Sequence, residues 1–169
     1  MFVIAIPASA QLKERDNLLG GSLGFWAHRN VPTFGVNYEN QITQAGIGTI
    51  GLGGVFRFYT YSEGYSYTDY RYSFVSLGFQ ANYNFNQIGD GKFVPFVGLV
   101  LAYNSVSRSY TTVSGHTYYY VDNSYNSGMW VWGQAGFRYF FSPNVAGSVR
   151  LNGGNFDYTT LELGVDFKF

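Results

Sequence analysis

Along most of the chain, large apolar side chains occupy every second residue while Gly, Ser, Thr, Asn, Gln or a charge fills the places between, as in Thr159-Thr160-Leu161-Glu162-Leu163-Gly164-Val165-Asp166-Phe167-Lys168-Phe169. Successive side chains of an extended strand point to opposite faces, so a period of two predicts strands whose faces meet different surroundings. Eight such segments are expected, at about 18–27, 34–42, 47–59, 73–85, 93–104, 129–141, 145–151 and 159–169. In the second, Phe34, Val36, Tyr38 and Ile42 oppose Gly35, Asn37, Glu39 and Gln41; in the fourth, Val75, Leu77, Phe79, Ala81 and Tyr83 oppose Ser76, Gly78, Gln80, Asn82 and Asn84. Helical spacing is hard to find anywhere.

The links between segments alternate in length. Those at 43–46, 86–91 and 142–144 are short, and Pro143 with Asn144 makes the last a tight turn. Those at 60–72 and 105–128 are long, and those at 28–33 and 152–158 are moderate. All the longer links fall on one side of an up-and-down meander, the arrangement of short periplasmic turns and longer external loops found in membrane barrels. The expected fold is therefore all-β: an eight-stranded antiparallel up-and-down transmembrane β-barrel.

The positions of charge discriminate between a membrane barrel and a soluble one. Glu39, Arg57, Arg138, Arg150, Glu162, Asp166 and Lys168 all share the face opposite the large apolar side chains. A cation facing lipid near mid-membrane costs about 2–4 kcal/mol, so these seven are assigned to an interior polar network, where cations and anions can pair. The turn at 142–144 brings Arg138, Arg150 and Glu162 to a similar height. Arg71 has the apolar parity and is placed in an external loop. Tyr38, Tyr59, Tyr83, Tyr103, Tyr139 and Phe141, near segment ends, suit interfacial girdles. A soluble lipocalin-like barrel, the competing architecture, would carry its apolar face inside.

Composition agrees with a membrane setting. Aromatic residues reach 21% and charged residues only 12%, against about 25% charged in typical soluble domains. Ten Lys and Arg balance ten Asp and Glu, leaving no basic stripe for nucleic acid. The absence of cysteine removes disulfides and thiolate chemistry. No run approaches the ~20 apolar residues of a spanning helix. Residues 1–10, an apolar run closing on Ala8-Ser9-Ala10, are read as a truncated signal peptide cut after Ala10, with the barrel domain spanning 11–169.

Chemical motifs are sparse. Gly46-Ile47-Gly48-Thr49-Ile50-Gly51 fits a dinucleotide fingerprint, but an alternating strand follows where the fingerprint needs a helix, so inward glycines making room in a narrow barrel are expected instead. His28 and His116 fall in external links without a carboxylate at ligand spacing, and the Asp122-to-Gly128 run lacks a later acidic ligand. No enzyme activity, metal or cofactor is expected. In the 105–128 link, Tyr110, Tyr118, Tyr119, Tyr120 and Tyr125 lie among Ser, Thr and Asn. Two readings stand for them: a surface that contacts an extracellular protein or glycan, or a prolongation of the strands above the membrane.

The eight-segment layout, the stretch Gly136-Phe137-Arg138-Tyr139-Phe140-Phe141-Ser142-Pro143-Asn144 and the ending Leu161 to Phe169 resemble the small outer-membrane β-barrel family that includes OmpX and the transmembrane part of OmpA. The resemblance covers the whole chain after the signal. It implies a bacterial outer-membrane location, contact with outer-membrane lipid, and insertion by the barrel-assembly machinery through a carboxy-terminal signal, Leu161, Leu163, Val165, Phe167 and Phe169. With no peptidoglycan-binding domain in the sequence, an OmpA-like wall-anchoring role is not supported. The function expected is that of a non-enzymatic, monomeric outer-membrane protein whose loops meet the exterior in adhesion or envelope integrity; a narrow porin-like channel and a soluble ligand-binding barrel are the alternatives.

Overall fold

The computed structural model describes residues 12–26, 31–65, 68–86, 91–112, 117–120, 127–154 and 159–169. The signal expected at residues 1–10, His28, His116 and Tyr125 lie outside them. Nine strands are present among the described residues: β1 (Asn17–Trp26), β2 (Val31–Ala45), β3 (Gly48–Tyr65), β4 (Thr68–Asn84), β5 (Phe93–Thr112), β6 (Thr117–Tyr120), β7 (Gly128–Ser142), β8 (Val145–Gly154) and β9 (Thr159–Lys168). Every pairing is antiparallel, in the order β4-β3-β2-β1-β9-β8-β7-β5, and β4 also pairs with β5. That last ladder closes eight long strands into a barrel and leaves no long edge to recruit another chain.

The chain ends meet at one seam. β1 lies against β9 from Leu18↔Lys168 to Trp26↔Thr160, and Asn17 and Phe169 exchange both backbone hydrogen bonds at 3.0 Å. At this end the β2–β3 turn places Gly46 at φ 57°, where a side chain would be strained. Register shifts between Gln41 and Thr43 and between Phe140 and Ser142 bend the strands beside their turns.

The opposite end departs from the expected layout. The stretch 60–72 is mostly strand: β3 and β4 stay paired to Tyr65↔Thr68. Likewise β5 runs on through residue 112, where the short β6 pairs with it from Arg108↔Tyr120 to Thr111↔Thr117. The expected long loops are thus largely hairpins that prolong the barrel wall. Tyr110, Tyr118, Tyr119 and Tyr120 lie in these paired strands. Arg71, placed in a loop from the sequence, is an exposed residue of β4.

Burial is inverted relative to a soluble protein. Large apolar side chains on alternate residues face outward, including Leu77 at 67% exposed and Phe79 at 79%, whereas Glu39, Arg57, Asn84, Asn104 and Asn152 are at 0–1%. An uninterrupted apolar exterior around a polar interior is stable only where the outside is lipid, so the soluble lipocalin-like alternative is overturned. Of the expected girdle residues, Tyr38, Tyr103, Tyr139 and Phe141 are exposed on the outer wall, and half-buried Tyr83 donates its hydroxyl to the Ala45 carbonyl at 2.7 Å. Tyr59 departs from that expectation: it shares the parity of Arg57, and its ring is buried inside the barrel at 1% exposure.

The inverted surface predicts that the chain gains compact β-structure in detergent micelles or lipid and not in plain buffer, read by circular dichroism and heat-dependent gel migration. Phe79→Arg, at an outward position of β4 that is 79% exposed, is expected to destabilise the barrel in lipid vesicles by about 2–4 kcal/mol, measured by denaturant titration, whereas Phe79→Leu should cost much less.

Candidate functional site: the interior polar network

Six of the seven charges assigned to the interior meet inside the barrel, in two groups. Glu39 on β2 is the hub of the first. Its Oε1 accepts from Gln41 Nε2 at 2.8 Å and Asn84 Nδ2 at 2.6 Å; its Oε2 accepts from Asn82 Nδ2 at 2.7 Å and Arg138 at 2.8 Å. Arg138, on β7, also donates Nε to Asp166 Oδ2 at 2.8 Å and one terminal amine to Asn84 Oδ1 at 2.6 Å, and its guanidinium lies 4.4 Å from the centroid of the Phe96 ring. Gln134 extends the group by donating to Gln80 Oε1 and Asn82 Oδ1. Each buried charge thereby gains the partners without which burial would be prohibitive.

The second group centres on Glu162 of β9. Arg57 donates Nε to Glu162 Oε1 at 2.8 Å, a terminal amine to Asn37 Oδ1 at 2.8 Å, and its other amine to the Phe56 and Val36 carbonyls at 2.9 and 3.3 Å. Ser22 donates to Glu162 Oε2 at 3.0 Å, while the Arg150 guanidinium stands 3.6 Å from that oxygen. Arg150 is 2% exposed and makes no hydrogen bond among the described residues; beside this ion pair, its guanidinium lies 5.4 Å from the centroid of the Phe96 ring.

Two details differ from the sequence expectation. The register shift near Ser142 sets Arg138 opposite Ser148, two residues nearer the turn than the Arg150 and Glu162 pair, so Arg138 joins Glu39 and Asp166 instead. Lys168 has the interior parity but stands at the mouth, its Nζ 3.7 Å from Asp16 and 5.5 Å from the centroid of the Phe140 ring. Parity fixes which face a residue takes; it does not fix how far along the tilted barrel the residue lies.

Glycine makes this density possible. A Cβ at Gly51 would run into the Glu39 carboxylate, one at Gly20 into Asp166, one at Gly24 into Glu162, one at Gly35 into Arg57 and Ser22, and one at Gly98 into Asn82. Glu39, Asp166, Glu162, Arg57 and Asn82 thus each lie over a glycine of a nearby strand. Gly51 belongs to the fingerprint-like run, which is accounted for by this packing.

Both ends of the lumen are apolar. At the short-turn end Leu12, Leu18, Val94, Phe140 and Ala146 form a buried cluster, and Asn86 Nδ2 holds the Leu12 carbonyl at 2.9 Å, so the segment before β1 folds under the mouth. Toward the other end Tyr59, Tyr72, Phe74, Trp130 and Trp132 pack with Val31, Val55, Val100 and Ala102; Tyr59 stacks on Phe74 at 4.5 Å. Among the described residues the paired charges therefore lie between two apolar clusters. Among the described residues no group of His, Cys, Asp and Glu is arranged to hold a metal.

Removing one member of the first group should cost far more than removing the pair. Arg138→Met leaves Glu39 and Asp166 facing each other and is expected to lose about 3–5 kcal/mol of unfolding free energy. Adding Glu39→Gln and Asp166→Asn to that variant should recover a large part of the loss in a detergent-based denaturant titration.

No family model matches the chain, and no curated protein matches it. Solved structures do. A de novo designed transmembrane β-barrel aligns with a TM-score of 0.60 at 12% identity, covering 94% of this chain and 99% of that one. The N-terminal β-barrel domain of Pseudomonas aeruginosa OprF aligns with a TM-score of 0.60 at 17% identity over 92% and 98%. Ail, the attachment invasion locus protein of Yersinia pestis, aligns with a TM-score of 0.54 at 13% identity over 93% and 100%. These likenesses, with the apolar exterior and the polar filled lumen, give the chain the fold of the small eight-stranded outer-membrane β-barrels.

Proposed function

We propose that the protein is a non-enzymatic outer-membrane barrel that conducts no solute and presents its prolonged hairpins to the exterior, in adhesion or envelope integrity. One observation carries this reading: among the described residues the ionic groups lie between two buried apolar clusters, while β3, β4, β5 and β6 continue beyond the apolar belt. A filled lumen gives no route for a channel, and projecting paired strands offer a surface to something outside the cell. Ail, one of the structures of like fold, has been solved with the heparin analogue sucrose octasulfate, at 14% identity and a TM-score of 0.56. A sulfated or phosphorylated extracellular glycan is accordingly the ligand class to test first, with an extracellular protein second.

In the same reading Leu161, Leu163, Val165, Phe167 and Phe169, all outward on β9 and its end and between 44% and 67% exposed, are the signal taken up by the barrel-assembly machinery. Their accessibility on the strand that closes the seam with β1 supports that role.

Planar bilayers containing the refolded protein should show no stepwise conductance; ion flow through the wild-type barrel would sink the non-conducting reading. For the contact role, a variant with residues 60–72 replaced by a two-residue turn should keep its heat-modifiable gel shift yet reduce adhesion of expressing cells to heparin-coated surfaces several-fold. Undiminished adhesion would count against the projecting strands as the contact surface.

A further inference from the structure

Among the described residues three arginines are buried inside the barrel, and two of them are fully engaged. Arg57 and Arg138 each place all three guanidinium nitrogens in hydrogen bonds to carboxylates, amides or backbone carbonyls. Arg150 places none: its Nε and both terminal nitrogens are buried without a hydrogen-bond partner among the described residues. Two acceptors on the adjoining inward row are in the same condition. Gln134 and Asn152 stand opposite each other on β7 and β8, with Asn152 two residues from Arg150 on the same face. Gln134 Oε1 and Asn152 Oδ1 are both buried without a donor among the described residues. Their amide nitrogens are committed, that of Gln134 to Gln80 and Asn82 and that of Asn152 to Thr160, which fixes how the amides are turned. Opposite Arg150 on β7 is Gly136, which brings no side chain to it.

Charge is unevenly shared at the same place. Over these groups three guanidiniums meet three carboxylates, yet Glu39 and Asp166 both pair with Arg138, while Arg57 and Arg150 share Glu162. The surplus negative charge of the first group is met by amide donors from Gln41, Asn82 and Asn84. In the second, Glu162 accepts from Arg57 at Oε1 and from Ser22 at Oε2, so the surplus positive charge rests on Arg150.

We infer that Arg150, Gln134 and Asn152 form a buried site for a small monovalent oxyanion that still carries a proton, of the bicarbonate or dihydrogen phosphate kind. Each part of such a ligand answers one of the unmet groups. Two of its oxygens match the planar fork of the guanidinium. Its single charge offsets the surplus of the Arg57, Arg150 and Glu162 group. Its hydroxyl donates to an amide oxygen, which a halide or an ionised carboxylate cannot do. The site lies between the two apolar clusters, so the anion is taken up as the barrel closes and is held away from competing solvent. It requires the closed barrel and is independent of what the external hairpins contact.

The test refolds the full chain into zwitterionic-detergent micelles at neutral pH and equal ionic strength, with isotopically labelled bicarbonate, phosphate, formate or bromide. Free anion is removed by gel filtration, and the anion retained per barrel is quantified by mass spectrometry, bicarbonate as the carbon dioxide released by acid. Wild type should retain about one equivalent of bicarbonate or phosphate, the number set by one unpartnered guanidinium fork, and about tenfold less formate or bromide, the loss expected for a missing hydrogen bond in a charged site. Arg150→Gln should keep the heat-dependent gel shift and lose about tenfold of that retention. Asn152→Asp supplies the negative charge from the chain itself, so it should exclude the anion and raise the urea midpoint of protein refolded without it. No anion retained by wild type, equal retention of bromide or formate, or undiminished retention by Arg150→Gln would each overturn the site. If Arg150→Gln does not fold, Asn152→Asp decides alone, and retention equal to wild type overturns the inference.

Discussion

The constraint on which the rest of the structure depends is neutralisation of charge inside a narrow tube walled by lipid. With eight strands the lumen holds side chains and little else, so a carboxylate placed there must find donors within its own layer. Glu39 does so with four, from two other strands and its own. The glycines on facing strands, the amides at Asn82, Asn84 and Gln134, and the ring of Phe96 beneath Arg138 follow from it, because each provides space or a partner for a charge that could not otherwise stay.

Once the centre is so occupied, the ends and the outside are free to serve other purposes. The apolar clusters at the two mouths separate the ionic layers from water, where screening would weaken them. The outer wall is an unspecialised solvent-matching surface along most of its height and becomes hydroxyl-rich only where β3, β4 and β5 leave the belt. The same strands thus carry three environments in sequence: lipid, interface and exterior. Their inner face changes too, from ionic at Arg57 to aromatic at Tyr59 and Tyr61.

The barrel was legible in the sequence because period-two alternation survives wherever a strand has lipid on one side and polar groups on the other. It stopped being legible where that contrast ends. At 60–73 the outward residues become Thr, Ser and Arg, which read as loop, although the inward Tyr61, Tyr72 and Phe74 keep the alternation and are the signal that could have extended the strands. Tyr59 reads as a girdle residue because aromatic residues near strand ends suit both faces, and only parity with Arg57 separates them. The grouping of Arg138 with Glu39 across the lumen needed the barrel's closure and a register shift that no local pattern announces.

Most of these ion pairs join strands that are not neighbours in the sheet. Glu39 on β2 meets Arg138 on β7, Arg57 on β3 meets Glu162 on β9, and Asp166 on β9 meets Arg138 past the whole of β8. A flat or half-curled sheet of these same strands would make every ladder hydrogen bond except those of the seam and still leave its charges bare. Closure is thus recognised chemically as well as geometrically: neutrality is reached only by the complete ring, and a chain halted one strand short carries its own marker of incompleteness into any bilayer it meets.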